Sequence, residues 1–382
     1  MPLGYAIPVL VLALATLSVL VPPGRSRLHA RASFRAGVVI NEVPQLAFYL
    51  LTASTVLSIV SGDVHNAGGW IAVGIAVATV PGLAVLFLRG LRTHVVAEDF
   101  LRHSGITSAP RRRWPWARIL VAPYYHRRHD VQRIANLSYD PGGRRQNLDV
   151  YRHRSRPAGA PVFIHFHGGG YSGGHKNSQS LPLIHHLSSR GWLCISANYR
   201  LQPTFGFRDH LADAKQVIAW AHEHAEEYGG DPTTLIVAGS SAGAHLTALC
   251  ALTQNDPRFQ PASDNPDTSL TAAVCLNSWL GEYDPTLDVP TSPRGYLRAD
   301  APPFLFVHGD VDPLAPVADT REFVERLREV SVNPVHLFEL PGGQHGFDLF
   351  HSPREEAVVD VVEAFAATAR VPRPRCAAAN RS

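Results

Sequence analysis

Four short stretches carry the residue types that acyl-transfer chemistry needs. The first is Gly239-Ser240-Ser241-Ala242-Gly243, a G-x-S-x-G pattern between the apolar run Leu235–Ala238 and the helix-forming run Ala242–Leu252. A serine on such a strand-to-helix turn presents its hydroxyl as a nucleophile. Ser241 is the candidate, because only it has glycines at both −2 and +2; the adjacent Ser240 is its rival. Chance alone produces the pattern in roughly one chain of this composition in six, so its strand-turn-helix context carries the weight. The second stretch, His167-Gly168-Gly169-Gly170, follows the apolar run Val162–Phe166. Ester cleavage builds negative charge on a carbonyl oxygen, and backbone N–H groups approach it closely only where side chains are absent. Gly169 and Gly170, with Ala242 just after the serine, are the candidate donors, and His167 is expected to brace the turn.

A nucleophilic serine requires a base, and the base requires an orienting group. "HGDVDPLAP" follows the apolar run Phe304–Val307, and "PGGQHGFDLF" follows Val335–Leu340. Both lie where strands end, at the edge where open α/β sheets carry their sites. His345, among Gly342, Gly343 and Gly346, is the candidate base, and Asp312 the residue that fixes its tautomer. Asp310 competes with Asp312. His351, His308 and His336 compete with His345, and His245 reads as a residue on the helix behind the nucleophile.

The elements that must position these groups follow from patterning. Eight short strands are expected, at Gln132–Leu137, Asn147–Tyr151, Val162–His167, Leu193–Asn198, Leu235–Ala238, Ala272–Asn277, Phe304–Val307 and Val335–Leu340. Helices are expected near Leu211–Tyr228, Thr320–Val330 and Arg354–Ala367, where apolar residues recur every three to four positions. Such alternation predicts an α/β fold with a mostly parallel sheet and helices on both faces. The short connection "SYDPGGRRQ" makes the first two strands an antiparallel hairpin at one edge.

The N-terminal part reads differently. Pro2–Val21, Val43–Val60 and Trp70–Leu88 are apolar, free of charge and roughly long enough to cross a bilayer. Arg25, Arg27, Arg31 and Arg35 follow the first run, and Arg89 and Arg92 the third. The positive-inside bias then places the large C-terminal part in the cytoplasm. Between Arg102 and Arg133 stand eight arginines and one acid, interleaved with Trp114, Trp116, Tyr124 and Tyr125, a segment suited to an anionic membrane surface. A net charge of +3 gives no indication of a nucleic-acid partner. Cys194, Cys250, Cys275 and Cys376 show neither metal-ligand spacing nor a disulfide framework, and no cofactor is expected.

From about Asp130 to Arg370 the chain resembles an α/β-hydrolase of the carboxylesterase and hormone-sensitive-lipase-like group. The likeness lies in "NLDVYRH", "PVFIHFHGGGYSGGHK", "ANYRLQP", "YGGDPTTLIVAGSSAGAHL", "HGDVDPLAP" and "GGQHGF". It implies Ser241, Asp312 and His345 as a triad, with oxyanion N–H groups from Gly169, Gly170 and Ala242, and His167, Gly168, Gly239 and Gly243 completing the motifs. The whole architecture resembles that of membrane-anchored bacterial esterases. The span from Ser241 to Asp312 is short for this group, so Trp279–Ala301 forms only a small lid. The expected organisation is a membrane region at 1–92, a basic juxtamembrane linker at 93–130, a catalytic domain at 131–370 and a disordered tail at 371–382. The expected activity is serine carboxylesterase on short- to medium-chain or lipid-like esters, with an apolar ester and membrane lipid as partners. An arylformamidase, amidase or peptidase on the same triad, or a non-catalytic membrane protein, is the alternative.

Overall fold

Continuous apolar runs such as "VFIHF" and "FLFVH" have no polar face to turn to water, so they need cover on both sides. The computed structural model describes residues 3–21, 34, 37–107, 112–261 and 266–369. The tail expected at 371–382 and the arginines at 25, 27, 31 and 35 lie outside these residues. Eight strands form one sheet in the order β1-β2-β4-β3-β5-β6-β7-β8. They are β1 Val131–Ser138, β2 Asn147–His153, β3 Ala160–Phe166, β4 Leu193–Ala197, β5 Gly230–Ser240, β6 Ala272–Leu276, β7 Phe304–Gly309 and β8 Val335–Leu340. The expected edge hairpin is present: β1 pairs antiparallel with β2, and β2 with β4. All other pairings are parallel.

Helices cover both faces. Val162, Ile164 and Phe166 of β3 face the core covered by α6 (Phe207–His224) and α7 (Ala242–Leu252), which α8 (Val317–Val330) continues over β7 and β8. Phe163 of β3 points the other way, with Ile236 and Leu305, toward α5 (Leu181–Ser189) and α9 (Pro353–Ala369). The period-two alternation of a strand thus supplies two cores from one run. Each fully buried Phe or Leu contributes about 1.5–3 kcal/mol.

The N-terminal runs are helical: α1 Leu3–Leu20, α2 Pro44–Val60 and α3 Ala67–His103. Val9, Val19, Leu51, Ala76 and Leu83 pack them together. By length and composition α1 and α3 are able to cross a membrane, with mean hydropathies of 2.2 and 2.5 over their apolar stretches. Only 28% of each stretch is buried. Of the three expected spans, α2, at 17 residues, is a shorter apolar helix, so two of the described helices meet the spanning criterion. At 37 residues, α3 is about 55 Å long at 1.5 Å per residue. Its far end joins the second core, where Phe100 lies 5.1 Å from Phe338, ring to ring.

Asn41 and Glu42, just before α2, are clamped to the sheet's C-terminal edge. Residues 37–42 are helical. Asn41 Nδ2 donates to Gly342 O at 3.0 Å, and Arg354 Nη1 reaches Glu42 Oε1 at 3.0 Å and Asn41 O at 3.1 Å. Ser352 Oγ donates to Glu42 Oε2. Glu42 and Arg354 are each only 1% exposed. Removing one member of a buried pair strands the other charge, so Glu42→Ala is expected to destabilise the protein by about 3–5 kcal/mol. Denaturant unfolding of the full chain checks this; an unchanged midpoint contradicts it.

Candidate active site

The parallel register brings five strand ends to one edge: Phe166 pairs with Gly239, Ser240 with Leu276, and Gly309 with Leu340. The residues that follow β3, β5, β7 and β8 are therefore neighbours, although far apart in the chain. The opening between them is a cavity of about 760 Å³ bordered by Gly168, Gly169, Gly170, Ser241 and His345, with Trp279 and Tyr283 from the short lid.

Ser241 sits between β5 and α7 with φ +56° and ψ −115°, a left-handed backbone that a non-glycine residue adopts only when its surroundings enforce it. The enforcement is steric. A Cβ at Gly239 would lie 2.2 Å from Gly243 O, and one at Gly243 would lie 2.1 Å from Phe166 O. The strand, the turn and the first turn of α7 close on each other so tightly that only glycine fits at −2 and +2. The rival Ser240 points into the protein, where its Oγ donates to Asp348 Oδ2 and lies 3.1 Å from His165 Nε2.

His345 Nδ1 donates to Asp312 Oδ2 at 2.7 Å. The same carboxylate accepts N–H bonds from Leu314 at 2.8 Å and Ala315 at 2.9 Å, and His308 Nε2 lies 3.3 Å away. Burial alone would raise the Asp312 carboxyl, but the His345 charge and hydrogen bonds from His308 and His345 hold it well below the usual carboxylate range. Burial opposes protonation of His345, yet the Asp312 carboxylate outweighs it by charge and hydrogen bond, and the imidazole pKa is raised. Among the described contacts, no hydrogen bond joins Ser241 Oγ to His345; both side chains border the one cavity. Such bonds are often long before substrate binds.

The N–H groups of Gly169, Gly170 and Ala242 have no acceptor among the described residues. Gly169 holds φ +118°, and a Cβ there would lie 2.3 Å from Gly173 O. Gly168 N is bound to Gln179 Oε1. His167 stacks on Tyr199 at 4.4 Å, its Nδ1 against Gly168 O at 2.7 Å, which is a turn brace. His245 Nε2 donates to Gly281 O at 3.2 Å and Nδ1 accepts from Tyr171 Oη at 2.6 Å, so it ties α7 to the lid. The other competitors lie elsewhere. His351 bonds Glu356 at 2.6 Å, His308 stands behind Asp312, and Asp310 braces the loop by accepting from Gly342 N at 2.7 Å.

Two features were not foreseen. Phe34, from the N-terminal part, borders the cavity with its ring 5.7 Å from that of His345, edge to face. Asp348 accepts from both Ser240 and Ser180, the latter at 2.7 Å. Asp348 stands only three residues past His345, which was the one available signal; Phe34 had none.

An eight-stranded, mostly parallel sheet with a strained serine turn and an Asp–His pair at its C-terminal edge defines an α/β-hydrolase. The BD-FAE family profile matches residues 148–287. The "Probable carboxylic ester hydrolase LipM" of Mycobacterium tuberculosis is 39% identical over 62% of this chain and 62% of its own length. "Esterase LipQ" of the same organism is 34% identical over 72% of this chain and 70% of its own. The structure of Thermogutta terrifontis esterase 2 phosphorylated by paraoxon aligns with a TM-score of 0.53 and 26% identity, covering 62% of this chain and 91% of that one. The chain belongs to the α/β-hydrolase carboxylesterase family. It spans about two thirds of the length of these mycobacterial relatives.

A base must be neutral to accept a proton; with His345 in that role, its raised pKa would keep the ring protonated to higher pH. The acidic limb of kcat/KM for ester hydrolysis should therefore have its midpoint above the ordinary histidine value. Asp312→Asn should move that midpoint down and lower kcat by about 10⁴-fold. A pH–rate profile of both proteins is the measurement, and an unmoved midpoint in the variant contradicts the pairing.

Proposed function

We propose that the protein is a membrane-tethered serine carboxylesterase acting on apolar carboxylic esters. The observation that carries this reading is the shared cavity: the half-buried Ser241, the Asp-paired His345 and the Gly169-Gly170 loop border one space, and the N–H groups of Gly169, Gly170 and Ala242 have no acceptor among the described residues. Ser241 Oγ attacks the ester carbonyl carbon as His345 Nε2 takes its proton. The oxyanion is received by the N–H groups of Gly169, Gly170 and Ala242. Collapse expels the alcohol oxygen, which takes the proton from His345, and leaves an acyl group on Ser241. Water, deprotonated by His345, attacks that acyl-enzyme, and the carboxylic acid and free serine return.

Phe34, Trp279, Tyr283, Leu314 and Leu349 line much of the cavity. That wall favours a short or medium acyl chain, or a lipid-like ester, over a charged substrate. The tether reading rests on exposed apolar surface. Leu3, Ile7, Leu14 and Leu17 of α1, Leu57 and Val60 of α2, and Trp70 and Ile71 of α3 are all more than half exposed. A patch of that extent needs cover, and lipid supplies it. Within this reading the catalytic part lies on the cytoplasmic side.

Ser241→Ala should abolish labelling by a fluorophosphonate probe and lower ester kcat/KM by about 10⁴-fold or more. Normal labelling of that variant would sink the assignment. In intact cells expressing the wild-type chain, the cytoplasmic placement predicts labelling by a membrane-impermeant phosphonate only after lysis. Full labelling before lysis reverses the orientation.

A further inference from the structure

A second cavity, of about 650 Å³, lies across one loop from the active site: Ser178 and Gln179 border the first, Asn177 and Leu181 the second. Its wall carries Arg127, Arg128, Arg133 and Arg154 together with His126 and His185, and no carboxylate. Asp130 pairs with Arg128 at 3.1 Å. Asp149 pairs with Arg133 at 2.6 Å but is shared with Lys176 at 3.3 Å. Arg127 and Arg154, both exposed, have no carboxylate partner among the described residues. The rim therefore holds uncompensated positive charge. Inside, His185 is 7% exposed and its Nδ1 is buried without a hydrogen-bond partner, as is Nδ1 of His126. Burial and neighbouring cationic groups push these imidazoles down, to about 4 for His185 and about 3 for His126, so each is a neutral ring.

The surroundings indicate where such a site would find its ligand. Tyr124 and Tyr125, on the cavity wall, are 55% and 58% exposed, and Val121 beside them is 75% exposed. Val121 ends the short helix α4 (Trp116–Val121), which is fixed to the first turn of α2 by Gln45 Nε2 donating to Ile119 O at 2.6 Å. The cavity thus stands near the level at which an apolar helix begins. Exposed tyrosines and arginines at that level match the headgroup zone of a bilayer.

We infer that this cavity is a binding site for the phosphate of an anionic phospholipid headgroup. Guanidinium forks on Arg127 and Arg154 match phosphate oxygens in geometry as well as charge, and the unpartnered imidazoles offer further polar contacts inside. The inference rests on the membrane placement above for the source of the ligand, while the cavity's charge is independent of it.

The test uses the full-length chain in a non-ionic detergent, with melting temperature as the readout. Dihexanoylphosphatidylglycerol should raise the melting temperature saturably, and dihexanoylphosphatidylcholine should not. Inorganic phosphate should need at least about tenfold more for the same shift. The double variant Arg127→Gln/Arg154→Gln should melt normally without ligand and need about tenfold or more phosphatidylglycerol. Arg102→Gln, which removes an exposed charge at the end of α3, should respond as the wild type. An equal shift with phosphatidylcholine, an unchanged response in the double variant, or phosphate as effective as the lipid overturns the inference. Extraction of the chain from membranes by alkaline carbonate is a separate readout. Release sinks the membrane placement and the lipid source with it; retention without a phosphatidylglycerol preference sinks the cavity assignment alone.

Discussion

One buried carboxylate holds the catalytic edge together. Asp348 takes hydroxyl hydrogens from Ser240, the residue before the strained serine, and from Ser180, at the start of α5. It also returns its carbonyl to Ser180 N at 2.9 Å. Three segments that share no local sequence meet on one side chain. In a low-dielectric interior a hydroxyl costs more unpaired than it contributes paired, so sharing Asp348 Oδ2 ties Ser240 and Ser180 to one arrangement, while Asp348 Oδ1 is left without a partner among the described residues. Ser240 is held inward, and the reversed backbone at Ser241 turns the next hydroxyl outward to the cavity. His345 hangs three residues upstream of the same anchor.

The electrostatics follow from the same burial. Asp312 is almost wholly removed from water, yet stays ionised because two backbone N–H groups and two imidazoles surround it. His308 is in turn held by Thr320 Oγ1 at 3.0 Å and Ala315 O at 2.8 Å, so the support for the carboxylate reaches back into α8. A charge in such a place is fixed in position, and it fixes the ring that leans on it.

Much of this was legible because the relevant signals are local. Gly239, Ser241 and Gly243 lie within five residues, and the steric demand they answer is a contact between adjacent turns. Apolar runs of five or six residues marked the parallel strands, and the nine-residue connection marked the hairpin. What escaped was long-range. Phe34, Asn41 and Glu42 meet the loop of His345 through packing between segments some 300 positions apart in the numbering, and no periodicity encodes that. Arg127, Arg128 and Arg133 fall within the basic segment that reads as suited to an anionic surface, and Arg154 lies outside it. The turn into β1 and the end of β2 gather them around one hollow, a property of the hairpin's register and not of spacing. The change of composition near residue 92 falls inside α3, whose backbone runs on without a break.

That unbroken helix has a mechanical consequence. A flexible tether lets an enzyme roam over a hemisphere set by linker length, whereas α3 enters the helical bundle at one end and the core beneath β8 at the other. Under the membrane tether proposed above, α3 would act as a strut, and the mouth of the cavity would keep a set height and tilt above the bilayer. In that arrangement reach, as much as pocket chemistry, would decide which esters are presented to Ser241.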